Sequence, residues 1–201
     1  IGVARNWKKH AEEQGKKLPA SPIFFIKTSN CAIGPGEPIS FAKEIGRVDH
    51  EGELGVIIGK AAKGVKAGDA YQYIHSYTII NDVTARAVQR ELQAKGYPWS
   101  AAKSMDGFAP IGPYMTLPES MGQIRDQKIE VRVNNEIRQQ GTLGEMRWKV
   151  SELIKVISKN LTLEPGDIIA CGTPSGVGPI VPGDEVSIEI DGLGQAEATF
   201  E

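Results

Sequence analysis

Apolar residues recur at every second position in two parts of the chain, at 129–133 and at 186–190. Because the side chains of a strand alternate between its two faces, this pattern predicts strands that bury one face. Asn134-Asn135 follows the first of these segments and predicts a tight turn into a returning strand at 136–139. Short continuous apolar runs, typical of fully buried strands, lie at 54–58, 77–83 and 167–170.

Helices are expected in fewer places. They are predicted where apolar residues recur every three or four positions, or where a polar run ends at a glycine, at 6–15, 84–95 and 148–159. Strands and helices do not alternate along the chain, which disfavours a doubly wound parallel sheet. The pattern predicts one strand-rich α+β domain over residues 1–201, with peripheral helices.

The composition excludes several classes of protein. The net charge is −2, from 23 basic and 25 acidic residues, and no basic cluster suggests a nucleic-acid partner. No apolar run approaches the roughly 18 residues of a membrane span. Cys31 and Cys171 are far apart and predict two reduced thiols, as in a cytoplasmic protein. A mitochondrial matrix location stays open if a transit peptide precedes Ile1.

Two glutamates stand at the entrance of the first buried run. Glu51 and Glu53 flank Gly52, and residues two apart on a strand point to the same face. Two neighbouring carboxylates repel each other unless a cation lies between them, and oxygen ligands suit Mg²⁺, Mn²⁺ or Ca²⁺. The alternative is a pair of solvated glutamates at a strand end.

A third acid, Asp82, ends the next apolar run and begins a predicted helix. Arg86 and Gln89 follow on the same predicted helix face, where they could donate hydrogen bonds to a carboxylate of the substrate. Asp is also a common helix N-cap, and the two other residues could belong to a solvated face. Both interpretations stay open at this point.

Two further features carry possible chemistry. His10 and Glu13 are three residues apart on a predicted helix, so the carboxylate could fix the imidazole as a general base. Residues 172–178 form a glycine-rich loop after a strand, which could bind an anion through backbone amides or be a simple turn. No His/Cys spacing fits zinc, and Ser175 lacks the sequence context of a serine nucleophile.

The order of these features resembles the fumarylacetoacetate hydrolase family over essentially the whole chain. The matching stretches share polar site-type residues next to apolar runs, and they are Ala4-Arg5-Asn6-Trp7 with His10 and Glu13, Phe24-Phe25-Ile26-Lys27, His50 to Val56, Asn81 to Arg86 with Gln89, Trp99 with Lys103 to Asp106, Leu163 to Asp167, and Gly172 to Gly178.

The resemblance implies a role for nine residues. It implies metal ligands at Glu51, Glu53 and Asp82, binding Mg²⁺ or Mn²⁺, with Ca²⁺ open. It implies a catalytic dyad of His10 and Glu13, with Lys103 stabilising an oxyanion or delivering a proton. It implies substrate contacts from Arg86, Gln89 and Thr173. The implied fold is a mixed β-sandwich roll, forming a homodimer, with residues 1–20 as a mobile lid segment.

Two departures narrow the expected substrate. The family's name-giving enzyme has an extra N-terminal domain and a fourth acidic metal ligand ahead of its histidine, and residues 1–9 contain neither Asp nor Glu. Ala87 stands where members commonly have Asp, which questions the bonding around Arg86. The chain is more similar to the short acylpyruvase and oxaloacetate decarboxylase branch.

The implied activity is metal-dependent cleavage of a C–C bond in a small 2-oxo acid, by acylpyruvate hydrolysis or oxaloacetate decarboxylation through an enolate. An oxaloacetate keto–enol tautomerase, or a hydratase or isomerase of aromatic catabolism, is the alternative. A binding protein that has kept the fold and lost the chemistry is a third reading. The implied partner is the small-molecule substrate, with no membrane and no nucleic acid.

Overall fold

The computed structural model describes residues 1–114 and 124–201 and is built around two β-sheets. Five strands form the larger sheet, in the spatial order β2 (Ile23–Phe25), β1 (Gly2–Ala4), β11 (Ile168–Ala170), β5 (Gly52–Ile58) and β6 (Ile74–Asn81). Strand β1 runs parallel to β11, and the other neighbours are antiparallel, so the sheet is mixed.

The second sheet is antiparallel throughout. Its strands, in spatial order, are β10 (Glu136–Thr142), β9 (Lys128–Val133), β13 (Glu185–Ile190) and β14 (Gly194–Thr199). The predicted turn between β9 and β10 is confirmed, because Asn134 and Asn135 both have positive φ, at 49° and 67°. Turns of this kind match the twist of a hairpin.

The remaining elements are short. Small sheets join β12 (Pro179–Ile180), β4 (Val48–Asp49) and β7 (Thr84–Ala85), and also β3 (Ala32–Ile33) and β8 (Ala109–Pro110). The helices are α1 (Lys8–Glu13), α2 (Arg86–Ala94), α3 (Ser100–Lys103) and α4 (Val150–Asn160), with a 3₁₀ helix at Ala67–Tyr73.

The two main sheets pack face to face, and glycine permits their close approach. A Cβ atom at Gly52 would lie only 2.4 Å from Cγ2 of Val131 and 3.2 Å from Cγ2 of Ile188, both on the second sheet. Alternate residues of β9 and β13 are buried in this contact, as the sequence pattern predicted. The architecture is therefore the predicted strand-rich α+β sandwich with peripheral helices.

The predicted boundary between the strand at 77–83 and the helix after it is wrong. The strand predicted at 77–83 ends at Asn81, and Asp82 does not cap the following helix, which begins only at Arg86. The reason is tertiary: Thr84 and Ala85 pair with Val48 and Asp49 as strand β7 before the helix can start. Arg86 and Gln89 therefore share a helix face that does not include Asp82.

Asn6 explains why two predicted helices begin late. The helix predicted at 6–15 begins at Lys8, and that predicted at 148–159 begins at Val150. The Asn6 amide donates to the carbonyls of Trp148 (3.1 Å) and Cys171 (2.8 Å), and its oxygen accepts from the Trp148 N–H at 2.7 Å. These bonds fix both chain segments outside helical geometry.

Replacing Asn6 with alanine should therefore lower the free energy of unfolding by about 2–4 kcal/mol, because it leaves buried backbone groups without partners. Urea unfolding followed by fluorescence measures this change. Asn160→Ala is the control, since the Asn160 amide donates to a carbonyl at the exposed end of α4 and should change stability by less than about 0.5 kcal/mol. Equal effects in the two variants would contradict this role for Asn6.

Three further expectations concern the chain as a whole. Cys31 and Cys171 are both free and buried, as predicted. Within residues 1–114 and 124–201, no helix is long and apolar enough to cross a membrane. The predicted mobility of residues 1–20 stays a prediction, but Gly2–Ala4 is a strand of the larger sheet, so a moving segment has to begin after it.

Candidate metal centre and active site

Three buried carboxylates meet where β5 begins and β6 ends. These strands are antiparallel, with Gly52 opposite Asn81, so the start of one lies beside the end of the other. The Asp82 N–H donates to the Glu51 carbonyl at 2.8 Å. One oxygen from each of Glu51, Glu53 and Asp82 lies within 4.8 Å of the others, which is close enough for a single ion to contact all three.

Cations of the protein surround two of these carboxylates. Lys103 Nζ lies 2.7 Å from Glu51 and 2.5 Å from Asp82, Arg86 also bonds to Glu51, and Lys27 Nζ lies 2.8 Å from Asp82. Among the described residues, Glu53 has no direct ion pair, and its carboxylate accepts the Gly172 N–H at 2.6 Å. Glu53 is therefore the least compensated of the three carboxylates.

The pKa values express this imbalance. Burial raises the pKa of Glu53 well above its usual value, and the negative charges of Asp82 and Glu51 raise it further. Burial also acts to raise the pKa of Glu51, but Lys103 and Arg86 outweigh it and hold that pKa below its usual range. A divalent cation would supply the missing positive charge, so the donor set fits a hard, oxygen-ligated metal.

Arg86, the first residue of helix α2, bonds to one carboxylate of the cluster, Glu51. Its Nε donates to Asp49 at 2.7 Å, Nη1 donates to Gln89 at 2.6 Å, and Nη2 bonds to Glu51. Asp49, on β4, thus supplies the carboxylate whose absence at Ala87 made this bonding uncertain. A guanidinium has five N–H donors, and three bonds leave two of them for a ligand.

Sequence reasoning assigned no role to Asp49 or Lys27. The Lys27 ammonium is buried, donates to Asp82 at 2.8 Å and also bonds to the Lys103 carbonyl. The available signal was a single lysine directly after the apolar run at 24–26, where a buried cation requires an anionic partner. Asp49 also pairs with Arg47, two residues away, so the sequence held a local ion pair but no sign of the bond to Arg86, which lies 37 residues away.

His10 and Glu13 interact on helix α1 as the sequence suggested. The Glu13 carboxylate lies 3.3 Å from His10 Nδ1, and the Gln14 amide nitrogen lies 3.0 Å from Nε2. These partners place the ring proton on Nδ1, and the Nε2 lone pair accepts a hydrogen bond from the Gln14 amide, so Gln14 has to turn away before Nε2 can act as a base. The other Glu13 oxygen accepts the Gly176 N–H at 3.0 Å, which ties α1 to the loop at 172–178.

The glycine-rich loop approaches the carboxylates through Gly172 and Thr173. Gly172 has φ +94°, and a Cβ there would lie 2.8 Å from Cβ of Asn6, so the close approach requires glycine. The Thr173 hydroxyl donates to the Gly52 carbonyl at 2.9 Å. Thr173 is buried and joins the loop to the start of β5, beside Glu51 and Glu53.

A cavity of about 230 Å³ unites these groups. Eight of the nine residues predicted from the sequence line it, and these are His10, Glu51, Glu53, Asp82, Arg86, Gln89, Lys103 and Thr173. Glu13 lines an adjoining cavity of about 360 Å³, which shares His10 and Arg86 with the first. The carboxylates, the histidine and several N–H donors therefore face the same space, although metal and substrate contacts at these residues stay predictions.

The chain belongs to the fumarylacetoacetate hydrolase family. The family model for the C-terminal domain of fumarylacetoacetate hydrolase matches residues 1–201, which confirms the resemblance seen in the sequence. Members of this family are enzymes, among them hydrolases, isomerases and decarboxylases.

Three similar proteins, two of them with named activities, are the following. An uncharacterized protein of Pyrococcus horikoshii is 48% identical over 197 residues, covering 98% of this chain and 85% of the relative. The oxaloacetate tautomerase YisK of Bacillus subtilis is 38% identical, covering 96% of this chain and 66% of YisK. A fumarylpyruvate hydrolase from Pseudomonas aeruginosa, solved with Mn²⁺ and pyruvate, has a TM-score of 0.92 at 31% identity, covering 99% and 87% of the two chains.

Proposed function

We propose that this protein is a Mg²⁺- or Mn²⁺-dependent enzyme that cleaves a C–C bond of a small 2-oxo acid, by acylpyruvate hydrolysis or oxaloacetate decarboxylation. The observation that carries the proposal is the buried triad of Glu51, Glu53 and Asp82, in the cavity that His10 also lines. The Mn²⁺ and pyruvate in the fumarylpyruvate hydrolase structure support the same chemistry.

The triad would hold the metal, which when bound acts as a Lewis acid toward a 2-oxo acid and neutralises developing negative charge. The two N–H groups that remain on Arg86 would bind the substrate carboxylate, since a guanidinium matches carboxylate geometry. Gln89 would fix the Arg86 side chain through their 2.6 Å bond. These contacts orient the 2-oxo acid with its reactive carbon toward the histidine.

His10 would act as the general base. Its Nε2 accepts a proton from a water that attacks the distal carbonyl of an acylpyruvate, and Glu13 stabilises the imidazolium through Nδ1–H. The C–C bond then breaks, and its electron pair stays on the pyruvate part as the enolate. The Lys103 ammonium would neutralise the oxyanion or deliver the proton that converts the enolate to pyruvate.

Decarboxylation of oxaloacetate would involve the same residues and fewer steps than hydrolysis. Loss of CO₂ leaves the pyruvate enolate directly, so no attacking water is needed. The second candidate function is keto–enol tautomerisation of oxaloacetate, which needs only a proton removed from C3 and a proton added to the C2 oxygen, or the reverse. It is favoured by the 38% identity to the tautomerase YisK.

A substrate panel tests the proposal. The protein is loaded with Mn²⁺ and assayed for pyruvate release from acetylpyruvate and from oxaloacetate, while the decay of enol absorbance reports tautomerisation. We expect turnover of at least one substrate, its loss in EDTA, and its recovery when Mn²⁺ is added back. A protein that binds Mn²⁺ and changes neither substrate would contradict catalysis and favour a binding protein on this fold.

A further inference from the structure

Strand β10 contains an irregularity that turns one amide side chain inward. Its pairing with β9 shifts register between Ile137, opposite Arg132, and Gln139, opposite Val131, so Arg138 is an extra residue. Residues 136–138 are exposed, whereas Gln139 is only 1% exposed. Bulges of this kind redirect side chains and are common beside functional sites. Here the bulge places a polar group in the interior, behind the cavity.

The Gln139 amide is fully engaged. Its oxygen accepts the Gly52 N–H (3.2 Å) and His50 Nδ1–H (2.9 Å), and its nitrogen donates to Thr173 Oγ1 (2.6 Å) and the Pro174 carbonyl (2.7 Å). A backbone N–H and a backbone carbonyl on opposite sides leave only one possible orientation of the amide. Gln139 therefore joins the strand of the metal carboxylates to the glycine-rich loop.

The loop at 172–178 also contacts the backbone of the bulge at Arg138. A Cβ atom at Gly176 would lie 1.9 Å from the carbonyl oxygen of Arg138, so loop and strand are in direct backbone contact there. Glu13 accepts the N–H of the same glycine on the side of helix α1. The loop is thus held at two points by β10, through Gln139 and through the Arg138 carbonyl.

These hydrogen bonds determine which donor groups of Thr173 remain free to bind a ligand. Its hydroxyl hydrogen is donated to the Gly52 carbonyl, and the hydroxyl oxygen accepts from Gln139, so the side chain has no donor left for a carboxylate. The hydrogen bonds among the described residues include no acceptor for the Thr173 N–H. The preceding N–H, of Gly172, donates to the metal-site residue Glu53.

We propose that Gln139 is a positioning residue that holds the Thr173–Pro174 segment against Gly52, so that the Thr173 N–H, and not its hydroxyl, binds the carboxylate of the 2-oxo acid together with Arg86. This inference rests on the proposed function for the identity of the ligand. Its physical basis is the bulge, the four hydrogen bonds of one buried amide, and the contact of Gly176 with Arg138.

The test measures ligand and metal binding separately. Oxalate, a planar dianion shaped like the pyruvate enolate, is titrated by calorimetry into the Mn²⁺-loaded protein, and Mn²⁺ affinity is measured by electron paramagnetic resonance. Gln139→Met should weaken oxalate binding about tenfold through the lost hydrogen bonds, and KM should rise more than kcat falls. Mn²⁺ affinity should change less than about threefold, because backbone pairing of β5 with β6 holds the triad.

Two further variants complete the test. Gln140→Met is the matched control, since Gln140 is exposed and bonds to Glu130, and it should match the wild type. Thr173→Val keeps the N–H, so adding it to Gln139→Met should weaken oxalate binding no further than Gln139→Met does. If Gln139→Met fails to fold, Gln139→Glu keeps the acceptor oxygen, replaces the donor nitrogen with a second oxygen, and so loses the bonds to Thr173 and Pro174 while adding a buried carboxyl group.

Unchanged oxalate affinity in the Gln139 variants would overturn the proposal, and so would additive losses or a parallel loss of Mn²⁺ affinity. The outcome for the proposed function is separate. A wild type that turns over no 2-oxo acid, yet loses oxalate affinity on Gln139 substitution, retains the positioning role and refutes the activity. A Mn²⁺-loaded wild type that binds no oxalate refutes both.

Discussion

Replacing His10 with alanine should slow acylpyruvate hydrolysis on the order of 10²–10⁴-fold, the usual contribution of a positioned general base. The expectation follows from the geometry of the ring. Nδ1 faces the Glu13 carboxylate at 3.3 Å, so the lone pair is on Nε2, where it removes a proton from water once the Gln14 amide that occupies it at 3.0 Å has turned away. Oxaloacetate decarboxylation needs no attacking water, and its loss in the same variant should be smaller. Initial rates with acetylpyruvate and oxaloacetate at saturating Mn²⁺ measure both effects.

The controls separate base catalysis from structure. Glu13→Gln should reduce hydrolysis in the same direction but more weakly, because Glu13 orients the base. His75→Ala removes an exposed histidine and should leave both rates unchanged. His10→Ala should retain its metal, since His10 is not a proposed ligand. Full hydrolysis in His10→Ala, or loss of bound Mn²⁺ from it, would contradict the assignment.

Glu53→Gln should keep or raise the unfolding temperature of the metal-free protein but lower its affinity for Mn²⁺. Glu53 is buried beside Glu51 and Asp82, and among the described residues it forms no direct ion pair. A neutral amide of the same shape can still accept the Gly172 N–H, so the variant should unfold in EDTA at the same or a higher temperature. Mn²⁺ affinity should fall at least about 100-fold with the loss of a ligand, and turnover with it.

Calorimetric melting in EDTA and Mn²⁺ titration together measure this pair of effects. Glu44→Gln is the matched control, because Glu44 is exposed and should change neither quantity. A Glu53→Gln protein that binds Mn²⁺ like the wild type would remove Glu53 from the ligand set. A large loss of stability in EDTA would show that the carboxylate is needed for folding, contrary to its lack of a direct ion pair among the described residues.

The sequence predicted those parts of the fold that depend on local patterns. Alternating apolar positions in β9 and β13, and the Asn134-Asn135 turn, follow directly from the period of a strand and from turn chemistry. The bulge at Arg138 has no such local pattern in the sequence. It lies against Gly176, 38 positions along the chain. The burial of Gln139 was unpredictable for the same reason.

The site was predicted unevenly. Glu51 and Glu53 could be recognised as neighbours because they are two apart at the start of one strand, but only family resemblance connected them to Asp82 and Lys103. The counter-ions Asp49 and Lys27 depend on antiparallel and loop contacts between distant segments, which no local pattern encodes. The homodimer has no residue pattern behind it and stays a prediction, to be checked by light scattering.

The proposed function requires Glu51, Glu53 and Asp82 to hold one divalent metal. A crystal of the protein grown with Mn²⁺, with anomalous diffraction recorded above and below the manganese absorption edge, tests this requirement. We expect one anomalous peak per chain among the three carboxylates, with an oxygen of each within about 2.0–2.3 Å of the ion. No peak there at millimolar Mn²⁺, or a peak held by other residues, would contradict it.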